Sequence, residues 1–337
     1  MSFFKSEKRY LKRSGLSDRF LRIQGLKVLK LLMVIMMSMT LMGCSSDQQT
    51  IPESRPSSGS ESTSEPESTE RYEVPEFADS VFDKDAARSK NGAYIDLSNV
   101  SKGYVAVSAV SDARLKFQVI TDVTYNYDLS NNGEVSIFPL QSGNGEYQFR
   151  VMENVTENRY AIMFDVSEKV TLEDEFQPFI RPSDYVSYTR DSECVKLASS
   201  FAQESTDVFD LIHKVYDYVC ANVKYDKKKA ETVQSGYLPD PDETLSTGKG
   251  ICFDYASLTA AMLRSQGIPV KVIFGHVSPN NLYHAWNMFY TEEAGWVTVE
   301  FKVDQQTWTR MDLTFMANGS NLKFIGDGSN YADVYEY

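Results

Sequence analysis

A run rich in serine, glutamate and proline, from residue 45 to residue 75, divides the chain into two parts. Its centre reads Ser-Ser-Gly-Ser-Glu-Ser-Thr-Ser-Glu-Pro-Glu-Ser-Thr, over residues 57–69. Such a segment buries almost no apolar surface, so folding cannot offset the entropy of ordering it. We therefore predict a disordered, solvated tether over residues 44–85, with the folded part of the chain after it.

Ahead of the tether, a basic stretch of thirty residues runs into thirteen uncharged, mostly apolar residues, Leu31–Gly43. These residues are too few to cross a hydrocarbon layer of about 30 Å as a helix, but they are typical of a signal peptide. The segment ends in Leu41-Met-Gly-Cys44, which resembles the lipobox of bacterial lipoproteins. The alternative is a signal anchor with a chance cysteine, and such an anchor would need about 20 apolar residues.

The lipobox resemblance implies that residues 1–43 are a lipoprotein signal peptide, cut off just before Cys44. A diacylglycerol on the Cys44 thiol would then be the lipid anchor that holds the protein at the cell membrane, on its extracellular face. The tether would keep the folded part away from the lipid surface.

The charge of the remaining chain argues against nucleic acid as a partner. From Cys44 onward there are 25 basic and 45 acidic residues, and no cluster of Lys and Arg with interleaved aromatic residues stands out. Phosphate backbones would be repelled by such a protein. Three histidines and four cysteines leave little material for a metal site. The length of 337 residues and the hydrophobic share of 42% suit two folded domains.

Residues 86–185 are predicted to form a β-sandwich-like accessory domain. Short β-favouring runs recur there, separated by turn signals such as Ser130-Asn-Asn-Gly. No acid pair, nucleophile with a base, or glycine loop accompanies them, so we assign this domain a role as a spacer or as an aid to substrate or wall binding. The runs are Gly103–Ser108, Leu115–Ile120, Tyr147–Met152 and Tyr160–Val166.

Residues 186–337 are predicted to form a second domain that begins with helices. Apolar residues follow helical spacing from Val195 to Ala202 and again from Val208 to Val223. The segment Ser205-Thr-Asp-Val offers an N-terminal cap for the second helix. Cys194 and Cys220 read as small buried residues, and a disulfide between them is left open because the sequence does not set their distance.

Cys252 is the candidate nucleophile. Gly248 and Gly250 precede it, and a helix-forming run follows until Gly267-Ile-Pro269 ends it. Cys252 is thereby placed on the first turn of a helix, where unpaired backbone N–H groups and the helix dipole favour a thiolate. The same N–H groups can bind an oxyanion. The glycines allow a tight backbone path that leaves the sulfur open.

A thiolate requires a base and a group that orients the base. His284 opens a predicted strand, Tyr283–Tyr290, after the strand Val270–Gly275. Two carboxylates are candidates for the orienting role. Glu300 and Asp312 each follow a tryptophan by four residues.

Taken together, these segments resemble the transglutaminase-like superfamily, which is papain-like in its chemistry. The matches are Gly250-Ile-Cys252, Arg264 to Pro269, His284-Ala-Trp286 and Trp308 to Phe315. Tyr237-Leu-Pro-Asp, Gly-Ile-Cys-Phe-Asp-Tyr-Ala and the tail from Phe324 look like transglutaminase-like lipoproteins of Gram-positive bacteria. The resemblance covers about residues 200–337. It implies Cys252 as nucleophile, His284 as general base and acid, and Asp312 rather than Glu300 as the orienting carboxylate.

The implied fold is α+β: a papain-like transglutaminase core, with the helix bearing Cys252 against an antiparallel sheet bearing His284 and Asp312, after a β-sandwich-like domain. The implied activity is acyl transfer on amide bonds through a thioester, as protein cross-linking or as peptide or amide hydrolysis. The substrate would be a protein or peptide, including cell-wall peptide, and no metal or organic cofactor is implied. A catalytically silent module that binds peptide or cell wall in the same cleft is the alternative function. A structural wall protein in which the sandwich is the active part is a further one.

Overall fold

The computed structural model describes residues 71–277, 282–292, 295–298, 300–301, 308–309 and 331–337. Cys44 and Asp312 lie outside these ranges, as do residues 1–43 and the tether up to residue 70. The described residues all belong to one unit, Thr69–Tyr337. None of the helices in the described ranges is long and apolar enough to cross a membrane.

Eight strands between residues 88 and 170 form two antiparallel four-stranded sheets. One sheet has the order β1-β2-β3-β6 and the other the order β5-β4-β7-β8. In chain order the strands are β1 (Arg88–Lys90), β2 (Ala93–Asp96), β3 (Tyr104–Val110), β4 (Leu115–Ile120), β5 (Thr124–Leu129), β6 (Asn132–Pro139), β7 (Gly145–Thr156) and β8 (Arg159–Val170).

These two sheets pack face to face around one core. Along β4 the residues Leu115, Phe117 and Val119 are buried and alternate with more exposed ones. This period of two is the pattern of a strand with one face in a core. The rings of Phe117 and Phe138, one from each sheet, stack with centroids 4.7 Å apart. The predicted β-sandwich-like region is confirmed, although β1, β2, β5 and β6 were not among the predicted strands.

Among the described residues, five α-helices follow the sandwich. The predicted helices correspond to α1 (Glu193–Gln203), α2 (Val208–Asn222) and α5 (Cys252–Arg264). The predicted cap of α2 is confirmed, because the Asp207 carboxylate accepts the N–H groups of Phe209 and Asp210 at 2.8 and 2.9 Å. Two short strands that pair in parallel, β9 (Lys224–Tyr225) and β10 (Lys249–Gly250), flank the middle helices. The helices are α1 (Glu193–Gln203), α2 (Val208–Asn222), α3 (Lys227–Thr232), α4 (Pro241–Thr247) and α5 (Cys252–Arg264).

The strands after α5 provide the sheet on which this helix packs. They are β11 (Val270–Val277), β12 (Leu282–Thr291), β13 (Gly295–Thr298), β14 (Glu300–Phe301), β15 (Trp308–Thr309) and β16 (Tyr331–Glu336). The order β13-β12-β11-β16 is antiparallel throughout, and β14 pairs with β15. Asn287 in β12 donates to the carbonyl of Ala256 in α5 at 3.0 Å. The predicted α+β class, a cysteine-bearing helix against an antiparallel sheet, is confirmed.

Arg264, the last residue of α5, is 1% exposed and donates to backbone carbonyl groups of three segments. It donates to Val270 through Nε at 2.9 Å and Nη2 at 2.7 Å, to Arg181 at 3.0 Å and to Tyr337 at 2.9 Å. These carbonyls lie at the start of β11, in the segment that leaves the sandwich (between β8 and α1), and just after β16. Burial lowers the pKa of Arg264 to about 10, which leaves the guanidinium charged at neutral pH.

The tether was predicted to extend to residue 85, but residues before that position already contact the folded part of the chain. Tyr72 donates its N–H to the carbonyl of Ser205 at 3.0 Å and its hydroxyl to the carbonyl of Gln266 at 2.8 Å. The ring of Phe77 packs edge-on against Tyr188 with centroids 5.8 Å apart. The prediction was wrong here because these two aromatic side chains supply the buried surface that the serine-rich run lacks.

We predict that Arg264→Met lowers the free energy of unfolding by about 3–5 kcal/mol, because it leaves several buried carbonyl groups without a donor. Urea unfolding followed by circular dichroism measures the change. Lys196→Met is the control, since Lys196 pairs with Glu193 at the surface with 55% of its side chain exposed, and no measurable change is expected there. An Arg264 variant as stable as this control would contradict the prediction.

Candidate active site

Cys252 is the first residue of α5, as predicted, and its thiol is free and half-buried. Ile251 is the extended residue at the N-cap, with φ −94° and ψ 176°. The first hydrogen bond of the helix runs from the N–H of Tyr255 to the carbonyl of Ile251 at 3.1 Å. The N–H groups of residues 252–254 therefore precede the hydrogen-bond ladder and point out of the N-terminal end. A thiolate and an oxyanion are the groups that such an end favours.

Among the described residues, no side chain accepts the N–H groups of residues 252–254 at the start of α5, unlike the first-turn N–H groups of the other four described helices. Aspartates Asp207, Asp226 and Asp240 accept first-turn N–H groups of α2, α3 and α4. Asp242 accepts the first two N–H groups of α1, at 3.0 and 2.9 Å. A carboxylate in that position on α5 would occupy the place that an oxyanion requires.

Asp254, the third residue of α5, is completely buried in a polar cluster with Lys229 and Tyr237. Its Oδ2 accepts the N–H of Ile251 at 2.7 Å and lies 3.0 Å from the Lys229 Nζ. Its Oδ1 accepts the hydroxyl hydrogen of Tyr237. The Lys229 Nζ in turn donates to the Tyr237 hydroxyl oxygen at 2.6 Å. The three side chains thus all contact one another at the first turn of α5. No sequence motif pointed to this polar cluster.

The two glycines before Cys252 allow the chain to pass close to its neighbours. A Cβ on Gly250 would lie 2.5 Å from the Cβ of Asp254, so only glycine allows the segment to approach the helix. Gly248 ends α4 in the left-handed region, with φ +59°, and a Cβ there would lie 2.8 Å from the carbonyl oxygen of Asn222. The predicted tight backbone path before Cys252 is present. At Gly250 a glycine is required because the backbone lies close to Asp254.

His284 lies near the start of β12, is 4% exposed and pairs with Gly275 of β11. Trp286 shares its face of the strand, with ring centroids 6.3 Å apart. Alternation along the strand places Ala285 and Asn287 on the other face, where Asn287 reaches α5. The imidazole is therefore held in a buried aromatic setting at the end of the sheet.

Cys252 and His284 lie at the same end of the layer formed by α5 and the sheet, although His284 is on the sheet face opposite the one that contacts α5. Helix α5 runs antiparallel to β11, which begins beside Arg264. At the N-terminal end of α5, Phe253 packs edge-on against Phe274 with ring centroids 4.9 Å apart. Phe274 is followed in β11 by Gly275, which pairs with His284. A hydrogen bond between a catalytic thiol and an imidazole commonly forms only with bound substrate.

The remaining predicted site residues fall at the margins of the described chain. Asp312, the predicted orienting carboxylate, and Cys44, the predicted lipidation site, lie outside the described residues. Glu300, the alternative to Asp312, lies in β14, where its backbone pairs with Thr309 of β15.

The other cysteines have structural positions. Neither Cys194 nor Cys220 takes part in a disulfide, so the bond between them that the sequence left open is not formed. Cys194 is buried in the core, and its burial, with the carboxylate of Asp242 nearby, raises the pKa of its thiol far above the ordinary value. Cys220 is half-buried on α2. These two thiols provide internal references for the reactivity of Cys252.

Side chains of the sandwich pack around the start of α5. The ring of Tyr185, from the segment that leaves the sandwich, packs edge-on against Phe253 at 5.3 Å and against Tyr127 of β5 at 5.6 Å. Gly236 has φ +83°, and a Cβ there would lie 3.0 Å from an oxygen of Asp128. The loop that carries Tyr237 therefore rests on the sandwich, which supports the candidate site.

Known proteins are similar to this chain over the segment that carries the site. Residues 195–313 match the model of the transglutaminase-like superfamily. UPF0252 protein MJ1282 of Methanocaldococcus jannaschii is 30% identical over 131 residues, which are 36% of this chain and 36% of that protein. Uncharacterized protein YebA of Bacillus subtilis is 27% identical over 190 residues, 50% of this chain and 26% of that protein. The chain thus spans only about a third and about a quarter of the lengths of these relatives.

Among solved structures, a candidate cysteine protease from Cytophaga hutchinsonii is similar over 70% of this chain and 79% of its own, with 18% identity and a TM-score of 0.37. Red sea bream transglutaminase is similar over 65% of this chain and 50% of its own, with 11% identity and a TM-score of 0.26. The family match runs from within α1 to beyond β15 and includes Cys252 and His284. Over this segment, residues 195–313, the chain is similar to the transglutaminase-like superfamily.

Proposed function

We propose that this protein is an extracellular, membrane-anchored cysteine enzyme that transfers acyl groups from amide bonds of proteins or peptides. The observation that carries the proposal is Cys252 on the first turn of a helix whose first N–H groups are capped by none of the described side chains. The free N–H groups and the dipole of that helix favour a thiolate and can bind an oxyanion. His284 is the proposed base and acid, and Asp312 the proposed orienting carboxylate.

The proposed first half-reaction forms a thioester. His284 takes the proton of the Cys252 thiol, and the thiolate adds to the carbonyl carbon of the amide, whose electron pair moves onto oxygen. The N–H groups at the start of α5 bind this oxyanion. When the carbonyl re-forms, the C–N bond breaks and His284 gives its proton to the leaving nitrogen, which departs as an amine or ammonia.

The proposed second half-reaction releases the acyl group and restores the thiol. An incoming amine or water adds to the thioester carbon and loses a proton to His284, which returns it to the Cys252 sulfur as the C–S bond breaks. An amine acceptor produces a new amide bond and so cross-links proteins, whereas water produces a carboxylate and so hydrolyses the amide. Surface proteins and cell-wall peptides are the substrate classes that an extracellular position would offer.

We predict that iodoacetamide alkylates Cys252 at pH 6–7 at least about 10-fold faster than Cys220, because an ordinary thiol, with a pKa of about 8.5, is little ionised there. The measurement is mass spectrometry of the cysteine peptides of the purified protein after timed labelling across pH. Cys194, which is buried, should react only after denaturation.

His284→Ala should abolish the low-pH reactivity of Cys252 while His276→Ala preserves it. His276 is a matched control because it lies in β11, facing Tyr283, at the pair next to that of His284. If Cys252 reacts no faster than Cys220, the activated pair is absent, and the protein is better described as a silent module that binds peptide or cell wall.

We predict further that Asp312→Asn lowers the rate of acyl transfer by about 10³–10⁴-fold, the scale found when an orienting carboxylate is replaced in a triad. Glu300→Gln should leave the rate within about threefold of the unaltered protein. The measurement is release of a chromogenic amine from a peptide amide that the protein accepts. The opposite ranking of the two variants would assign the orienting role to Glu300.

We also predict that protein extracted from the producing membrane begins at Cys44 and carries two acyl chains on a glycerol attached to its sulfur. Intact mass measurement before and after alkaline removal of the ester-linked acyl chains tests this, and Cys44→Ser should give unmodified protein. A mass that includes residues 1–43 would instead indicate a signal anchor.

A further inference from the structure

We infer that Lys229 is a positioning residue for Cys252, because it balances the charge of buried Asp254 and so lets this carboxylate hold the start of α5 without opposing a thiolate. The inference rests on the proposed function, in which Cys252 is the nucleophile. It assigns a role to a lysine that lies 25 positions before Asp254 and that no sequence motif identified.

The start of α5 has to be held in place without a cap on its own N–H groups. In the other described helices an aspartate accepts these groups directly. In α5 the carboxylate of Asp254 accepts instead the N–H of Ile251, which is the residue before the helix, at 2.7 Å. The N–H groups of residues 252–254 stay available to a substrate oxygen as a result.

This arrangement places a buried carboxylate two residues after the nucleophile. The Asp254 side chain is completely buried. A negative charge in such a position opposes the formation of a second negative charge on the nearby sulfur. An uncharged acceptor could hold Ile251 as well, so the presence of a carboxylate makes a compensating cation necessary.

Lys229 supplies that compensating charge. Its Nζ lies 3.0 Å from the Oδ2 of Asp254, and 27% of its side chain remains exposed. The hydroxyl of Tyr237 bridges the two groups, because it accepts from Lys229 at 2.6 Å and donates to Asp254. Burial, and then the hydrogen bond to Asp254, raise the pKa of Tyr237 well above its ordinary value, so the hydroxyl remains a neutral bridge.

The backbone around Lys229 is connected to the segment before Cys252. Asp226 caps α3 by accepting the N–H of Lys229 at 2.8 Å, and it donates its own N–H to the carbonyl of Gly250 at 2.8 Å. The neighbouring residues Lys227 and Lys228 are exposed. Lys229 is therefore the member of this lysine run that is directed at Asp254, and its place is set by the same strand pair that leads into Cys252.

The test compares the pH profile of Cys252 alkylation in variants of the purified full-length protein. Lys229→Met should slow alkylation at pH 7 by about 10-fold and move the midpoint of the profile to higher pH, because the carboxylate is left without its cation. Lys229→Arg should retain most of the rate. Lys228→Met, which removes the same charge from an exposed position on the same helix, should match the unaltered protein.

Asp254→Asn should have the opposite effect, moving the midpoint to lower pH, since the amide oxygen can still accept from Ile251 while the cation of Lys229 remains. The double variant Lys229→Met with Asp254→Asn should return toward the unaltered profile. If Lys229 acted on folding alone, all three variants would alkylate Cys252 more slowly than the unaltered protein, with no shift to lower pH. Urea unfolding measures the stability of each variant separately. The Asp254 variant keeps the inference testable if the Lys229 variant folds poorly.

Two results would overturn different claims. If Cys252 of the unaltered protein is activated but Lys229→Met behaves like Lys228→Met, the inference about Lys229 is wrong and the proposed function stands. If Cys252 of the unaltered protein reacts no faster than Cys220, the proposed function fails and the inference fails with it.

Discussion

The hydrogen bonds of the Arg264 guanidinium are the interaction on which the rest of the fold depends. They connect the end of α5 to the start of β11, to the segment leaving the sandwich and to the residue after β16. At the other end of the helix, Asp254 is also a fully buried charge, and it is paired with Lys229. The acid lies at the N-terminus and the base at the C-terminus, so both charges also complement the helix dipole. Because every one of these groups has hydrogen-bond partners, the helix is fixed without an isolated buried charge.

The position of Cys252 follows from this double attachment. The helix cannot shift along the sheet while Arg264 is bound at one end and Asp254 at the other, and Asn287 joins its first half to β12. The bare N-terminus is consequently a rigid feature, which is what the stabilisation of a developing oxyanion requires. The sandwich contributes through Tyr185 and through the loop that carries Tyr237, so its proposed role includes support of the site as well as spacing.

Much of the fold could be predicted because the relevant signals are local. The run after Cys252 is helix-forming and Gly-Ile-Pro ends it, so α5 was predicted with Cys252 on its first turn. The cap at Asp207 was predicted from its place before an apolar helical pattern. The tether was predicted too long, because composition averaged over a serine-rich stretch hid the packing of Tyr72 and Phe77. The triad itself stays a prediction, since Asp312 lies outside the described residues.

By itself, the sequence determined the α+β class, the order of helices and strands around Cys252 and His284, and the resemblance of this segment to the transglutaminase-like superfamily. These follow from periodicity, from glycine and proline, and from short motifs, all of which act over one or two turns of chain. Only the tertiary structure decided how the start of α5 is held. Tyr237 is 17 positions from Asp254 and 8 from Lys229, and no local pattern relates them. Which charges meet in the interior depends on how distant segments pack, and burial is what makes each of those charges need its partner.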